Sequence, residues 1–135
     1  MREIIASLDE LDSVVEYLNL ILPSDSIIFL RGDLASGKTT LTKSIARDKG
    51  VEGEVTSPTF SLQHCYAEGL YHYDLYRLEY DEFMDLGLYE EFEKSGWHIV
   101  EWGSDRLKEF LESVGYIVTT VDITNNKNSR VYRIE

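Results

Sequence analysis

A chain of 135 residues is long enough for one domain with a real core and too short for a nucleotide domain plus a separate substrate domain. With 25 acidic against 13 basic side chains its net charge is −12, which argues against strong direct nucleic-acid binding and suits either a basic protein partner or plain solubility. No run approaches the ~20 apolar residues of a bilayer span, and the first residues lead into a helical pattern rather than a signal sequence, so a cytoplasmic, membrane-free protein is expected.

In chain order, Ser7-Leu8-Asp9-Glu10 has the form of a capping box, with Ser7 at the N-cap and Glu10 three residues on. Leu8, Leu11, Val15, Leu18 and Leu22 then recur at helical spacing, which predicts one helix closed by Pro23. Ser26-Ile27-Ile28-Phe29-Leu30 is an unbroken apolar run, the mark of a strand buried on both faces of a parallel sheet. It feeds Gly32-Asp33-Leu34-Ala35-Ser36-Gly37-Lys38-Thr39-Thr40, a Gly-x-x-x-x-Gly-Lys-Thr loop that opens a helix running to about Lys49, with Gly50 as its stop. In that helix Leu41, Ile45 and Ala46 point inward, Lys43 and Arg47 outward.

The chemistry of such a loop follows from its residues. Two glycines let successive N–H groups turn into one concavity that suits phosphate oxygens. Lys38 adds a charge for the β- and γ-phosphates, the Thr39 hydroxyl a ligand for Mg²⁺, and the helix aims its positive end at the same anion.

Thr56-Ser57-Pro58-Thr59-Phe60 reads in two ways: hydroxyls that order around a γ-phosphate or its metal, or a Ser-Pro turn entering a strand. Phe60 to Tyr66 and Leu70 to Tyr76 alternate around Ala67-Glu68-Gly69, which predicts a β-hairpin. Cys65, the only cysteine, permits no internal disulfide and no thiolate zinc site, and reads as a small half-buried strand residue. The period of two puts His72 and Asp74 on one face, as a metal and water site or as a hydrogen-bonded polar pair.

Asp81 to Phe92 reads as short helical pieces broken at Gly87, with Phe83, Met84, Leu86, Leu88 and Phe92 packing inward. Trp97 to Trp102 is the second strand of buried character and carries Glu101 at its end. There an acid in a phosphate-loop protein sits beside the metal or the attacking water. Ser104 caps a helix to about Ser113, and Tyr116–Thr124 and Ser129–Ile134 form a closing antiparallel hairpin around Asn125-Asn126-Lys127-Asn128. The fold class is therefore α/β: a single P-loop NTPase domain over residues 1–135, a parallel-core mixed β-sheet with antiparallel edge hairpins and flanking helices.

Taken as a series, Gly32 to Thr40, Ser57-Pro58-Thr59-Phe60, Tyr71-His72-Tyr73-Asp74-Leu75-Tyr76-Arg77-Leu78 and Glu101-Trp102 resemble the TsaE (YjeE) family in order and spacing over nearly the whole chain. The resemblance implies a Mg²⁺-dependent ATPase that binds ATP and ADP and works with TsaD-like and TsaB-like proteins. Those partners transfer a threonylcarbamoyl group to adenosine 37 of tRNA and hold the tRNA themselves. It places the nucleotide on Gly32, Asp33, Leu34, Ala35, Ser36, Gly37, Lys38, Thr39, Thr40 and Trp102, the metal on Thr39, Asp74 and Glu101, and a switch-like loop at Ser57 and Thr59. Lys38, Asp74 and Glu101 would carry the catalysis, by positioning and charge stabilisation.

Three positions depart from the family pattern: Ala35 and Ser36 replace its usual glycine and alanine, and Gly103 replaces the proline that often follows Glu-Trp. Arg77 is the arginine nearest Asp74 and so the candidate for transition-state charge, but no arginine is an evident finger; slow turnover alone and faster turnover with partners are expected. A nucleotide-gated binding module with incidental hydrolysis, and a small-molecule kinase, are the alternatives.

Overall fold

The computed structural model describes residues 1–33, 36–51, 62–66 and 69–135. The described strands form one mixed sheet: β1 (Arg2–Ala6), β2 (Ser26–Arg31), β3 (Gln63–Tyr66), β4 (Leu70–Asp74), β5 (Trp97–Glu101), β6 (Val118–Asn126) and β7 (Ser129–Ile134), in spatial order β1-β7-β6-β2-β5-β4-β3. β6, β2, β5 and β4 run parallel, while β7 and β1 on one side and β3 on the other are antiparallel to their neighbours. The parallel core with antiparallel edges expected from the sequence is present.

β2 is buried on both faces, as an unbroken apolar strand requires. Ile28 and Leu30 meet Val14, Val15 and Leu18 of α1 (Asp12–Ile21) and Leu41 and Ile45 of α2 (Lys38–Asp48) in one apolar cluster. Ile27 and Phe29 belong to a second cluster with Phe83 of α3 (Tyr80–Asp85), Phe92 of the 3-10 segment Leu88–Glu93, and Leu107 and Leu111 of α4 (Asp105–Ser113). Each fully buried side chain of this size contributes roughly 1.5–3 kcal/mol.

Five local readings change. Arg2–Ala6 is a strand, because it finds β7 as partner, more than a hundred residues away in sequence. The first helix is split: Ser7 and Glu10 do form the capping box, but it heads the 3-10 turn Leu8–Glu10, and α1 starts at Asp12. β6 is not confined to an edge hairpin, since its other side pairs in parallel with β2. Cys65 is exposed rather than half-buried, on β3 at the end of the sheet. Leu86 is 60% exposed at the end of a helix too short to turn it inward, whereas Phe83 and Phe92 are buried as expected.

The Ser104 hydroxyl accepts a hydrogen bond from Leu107 N–H at 3.1 Å and caps α4. Replacing it with alanine leaves that N–H to water alone and should cost about 1 kcal/mol, read as a lower urea midpoint at unchanged slope.

On the α3 side of the sheet, Gln63 Nε2 donates to Tyr73 Oη at 3.1 Å, Tyr73 O–H donates to His98 Nδ1 at 2.7 Å, and His98 Nε2–H donates to the Lys94 carbonyl at 2.8 Å. Burial holds His98 below its ordinary value of 6.5, against the opposing pull of the Lys94 carbonyl and of Glu91 and Asp25. The unfolded chain therefore binds the proton more readily. This contribution is complete above 6.5 and is lost as pH falls toward the folded value. Below 6.5 the stability gap between wild type and His98→Phe should narrow as the solution is acidified; parallel curves in urea titrations would contradict it.

Candidate functional site

The register of the parallel strands builds the site. Asp74 stands opposite Glu101, and Glu101 opposite Leu30, so the carboxyl ends of β4, β5 and β2 lie side by side. Glu101 shares its face of β5 with Trp97 and Ile99, and Asp74 shares its face of β4 with Leu70 and His72. That face carries α1 and α2. The sequence expectation that His72 and Asp74 share a face holds.

From β2 the chain passes through Gly32 and returns as the first turn of α2. A β-carbon at Gly32 would lie 2.5 Å from Ser36 Oγ and 2.7 Å from the Ile123 carbonyl, so only glycine fits against the loop and β6. The result is a cleft of about 280 Å³ walled by Ser36, Gly37, Lys38, Thr39 and Thr40 on one side and Asp74, Tyr76, Glu101, Trp102 and Arg130 on the others. Of the residues singled out from the sequence, it gathers Ser36 to Thr40, Asp74, Glu101 and Trp102. Leu34 and Ala35 of the loop, and Ser57 and Thr59, lie outside the described residues.

Lys38 Nζ donates to the carbonyls of Gly32 at 2.6 Å and Asp33 at 3.0 Å and lies 4.0 Å from the centre of the Trp102 ring. Burial pushes the Lys38 ammonium below its ordinary value, while Glu101, Asp33 and Asp74 pull it back up. The Thr39 hydroxyl is 3.4 Å from both oxygens of Glu101, a loose contact with room for a third party. Glu101 is only 3% exposed, and its Oε2 meets Nε2 of the fully buried His72. Trp102 follows in the left-handed region at φ 63°, a conformation costing roughly 1–3 kcal/mol for a bulky residue, with its ring 4.8 Å from that of Tyr76. Gly103 suits the next position because a β-carbon there would meet the Phe29 ring at 2.5 Å.

Arg77, the arginine nearest Asp74 in sequence, is exposed and is not among the residues walling the cleft. Arg130 is. It enters from β7 beside Gly37, where a β-carbon would be 3.1 Å from its Nε, and that Nε is buried with no hydrogen-bond partner among the described residues. No local sequence signal marks Arg130. Its place depends on β6 lying next to β2, which the hairpin pattern alone does not reveal. A larger cavity of about 510 Å³ opens at the opposite end of β2, between Ile21, Pro23, Ile27, Phe92 and Tyr116. Among the described residues no unpartnered buried side-chain nitrogen or oxygen lines it.

Among the described residues no three His, Cys, Asp or Glu side chains cage a metal by themselves. The hard oxygens lining the cleft include those of Thr39, Asp74 and Glu101. That set suits Mg²⁺ in the way the ion is usually bound, by few protein oxygens, with water and phosphate completing the shell. Among the described residues no helix is long and apolar enough to cross a membrane.

These features define an α/β protein with a polar cleft where a strand-loop-helix turn faces two strand-end acids. The sequence model of the family described as "Threonylcarbamoyl adenosine biosynthesis protein TsaE" matches residues 5–133, and the chain belongs to the TsaE family. The tRNA threonylcarbamoyladenosine biosynthesis protein TsaE of Treponema pallidum is 39% identical over 102 residues, 73% of each chain. Its Bacillus subtilis counterpart is 48% identical over 83 residues, 59% of this chain and 51% of its own length, so the match spans about half of that relative. The crystal structure of Bacillus subtilis YdiB superposes with a TM-score of 0.67 at 25% identity, covering 97% of this chain and 83% of that one.

Proposed function

We propose that this protein is a P-loop ATPase that binds Mg²⁺-ATP in the cleft and hydrolyses it in support of tRNA threonylcarbamoyladenosine synthesis by TsaD-like and TsaB-like partners. The observation that carries the reading is the convergence of Lys38, Thr39, Asp74 and Glu101, drawn from one helix and two strands, on a single cleft at the carboxyl ends of parallel strands. Membership of the TsaE family supports the pathway.

In this reading the first turn of α2 offers its free N–H groups and dipole to the phosphates. Lys38 leaves the Gly32 and Asp33 carbonyls to offset charge on the β- and γ-phosphate oxygens, and Arg130 adds a second cation from the opposite wall. Thr39, Asp74 and Glu101 would hold Mg²⁺, which when bound neutralises charge on the phosphates. One of the two acids also orients the attacking water by accepting its hydrogen bond. Trp102 and Tyr76 form an aromatic wall at the mouth. The chain's acidity leaves tRNA to the partners.

Phosphate release from ATP, measured for the protein alone and with the two partners, tests this. Slow release alone and a gain of roughly 10³ with partners is expected, since a group supplied in trans completes many such sites. Equal rates in the two conditions would contradict it.

A further inference from the structure

His98 has both ring nitrogens partnered, the ordinary state of a buried histidine. His72 does not. Its ring is fully buried on the face of β4 that carries Asp74, its Nε2 meets Glu101 Oε2, and its Nδ1 is buried with no partner among the described residues. A carboxylate only accepts, so in this contact Nε2–H is the donor. A buried nitrogen without a partner costs stability, and among the described residues the polar contact set against that cost is the bond to Glu101.

That bond has a consequence for the cleft. Lys38 shares the cleft with Glu101, yet among the described residues the two form no ion pair. Lys38 rests on two loop carbonyls and the Trp102 ring instead. With Oε2 held on His72 Nε2, the carboxylate stands with both of its oxygens 3.4 Å from the Thr39 hydroxyl.

We propose that His72 is a positioning residue: its Nε2–H locks Glu101 in the orientation that faces Thr39 and keeps the acid and Lys38 apart, so both remain available to the nucleotide. The proposal rests on the hydrolytic reading above and adds to it the group that aims the acid. It calls for a donor at the place of Nε2, not for an imidazole as such. The amide nitrogen of glutamine reaches that place and leucine fills the volume without donating.

The test compares wild type, His72→Gln and His72→Leu as full chains, by single-turnover hydrolysis at saturating Mg²⁺-ATP and by nucleotide affinity without magnesium. His72→Leu should lose about tenfold or more in rate, the usual effect of removing a group that orients a ligand or acid, with affinity changed less than about twofold. His72→Gln should recover to within about threefold of wild type. A wild-type rate in His72→Leu, or an equal loss in both variants at unchanged affinity, overturns the proposal. If wild type hydrolyses no ATP, the hydrolytic reading falls and the positioning claim is decided by the ¹⁵N spectrum of the histidines. A slowly exchanging His72 Nε2 proton that disappears in Glu101→Ala upholds it, and its absence from wild type overturns it.

Discussion

Replacing Glu101 by glutamine is expected to lower single-turnover ATP hydrolysis by about 10²- to 10³-fold while nucleotide binding persists. The two side chains have the same shape, and the amide oxygen still accepts from His72 Nε2, so the variant removes charge and little else. On the proposed reading, what would be lost is a negative charge that would help to hold Mg²⁺ or to orient the attacking water. The same change separates the two classes of function. If hydrolysis disappears and the partners' product still accumulates over many turnovers, the protein acts as a nucleotide-gated binding module. If both stop, hydrolysis itself is required. Undiminished hydrolysis in Glu101→Gln would remove the acid from the mechanism.

Gly96→Ala carries the largest expected loss of stability. Gly96 sits at φ 127° just before β5, where a β-carbon would lie 2.0 Å from the Gly69 carbonyl oxygen. That oxygen already accepts from Trp97 N–H at 3.0 Å, Gly96 N–H donates to Asp25 Oδ1 at 2.9 Å, and the Gly96 carbonyl accepts from Ser26 N–H at 3.1 Å. Neither side of the contact moves without breaking the start of β5 or β2. The clash and the left-handed backbone together should cost about 3 kcal/mol or more, a fall of roughly 10 °C in Tm. An unchanged urea midpoint would show that the turn yields more easily than its hydrogen bonds imply.

The parts of this molecule that were legible in its sequence are those fixed by near neighbours. The apolar run of β2, the glycine-framed loop, α2 and the strand-end position of Glu101 all follow from residues within one element of each other. The alternation in β4 was enough to put His72 and Asp74 on one face. What could not be read depended on pairing between distant segments. β1 exists because β7 accepts it, and Arg130 reaches the cleft because β6 lies against β2 rather than at an edge. Arg77 was drawn toward the site by its nearness to Asp74 in sequence, but the strand has ended by then and the side chain faces solvent. His72 shows a third kind of limit. Periodicity gives its face, but only the register of β4 against β5 shows that it meets Glu101 and leaves one nitrogen unpaired among the described residues.

Calorimetric titration of the full chain with ATP in the presence of Mg²⁺, alongside Lys38→Ala, tests most directly whether the turn between β2 and α2 grips a triphosphate. The wild type should bind one nucleotide per chain, and loss of the Lys38 ammonium should weaken binding by about 10- to 100-fold, the worth of one charge-assisted contact. No detectable uptake by the wild type, or equal affinity in the two proteins, would contradict it.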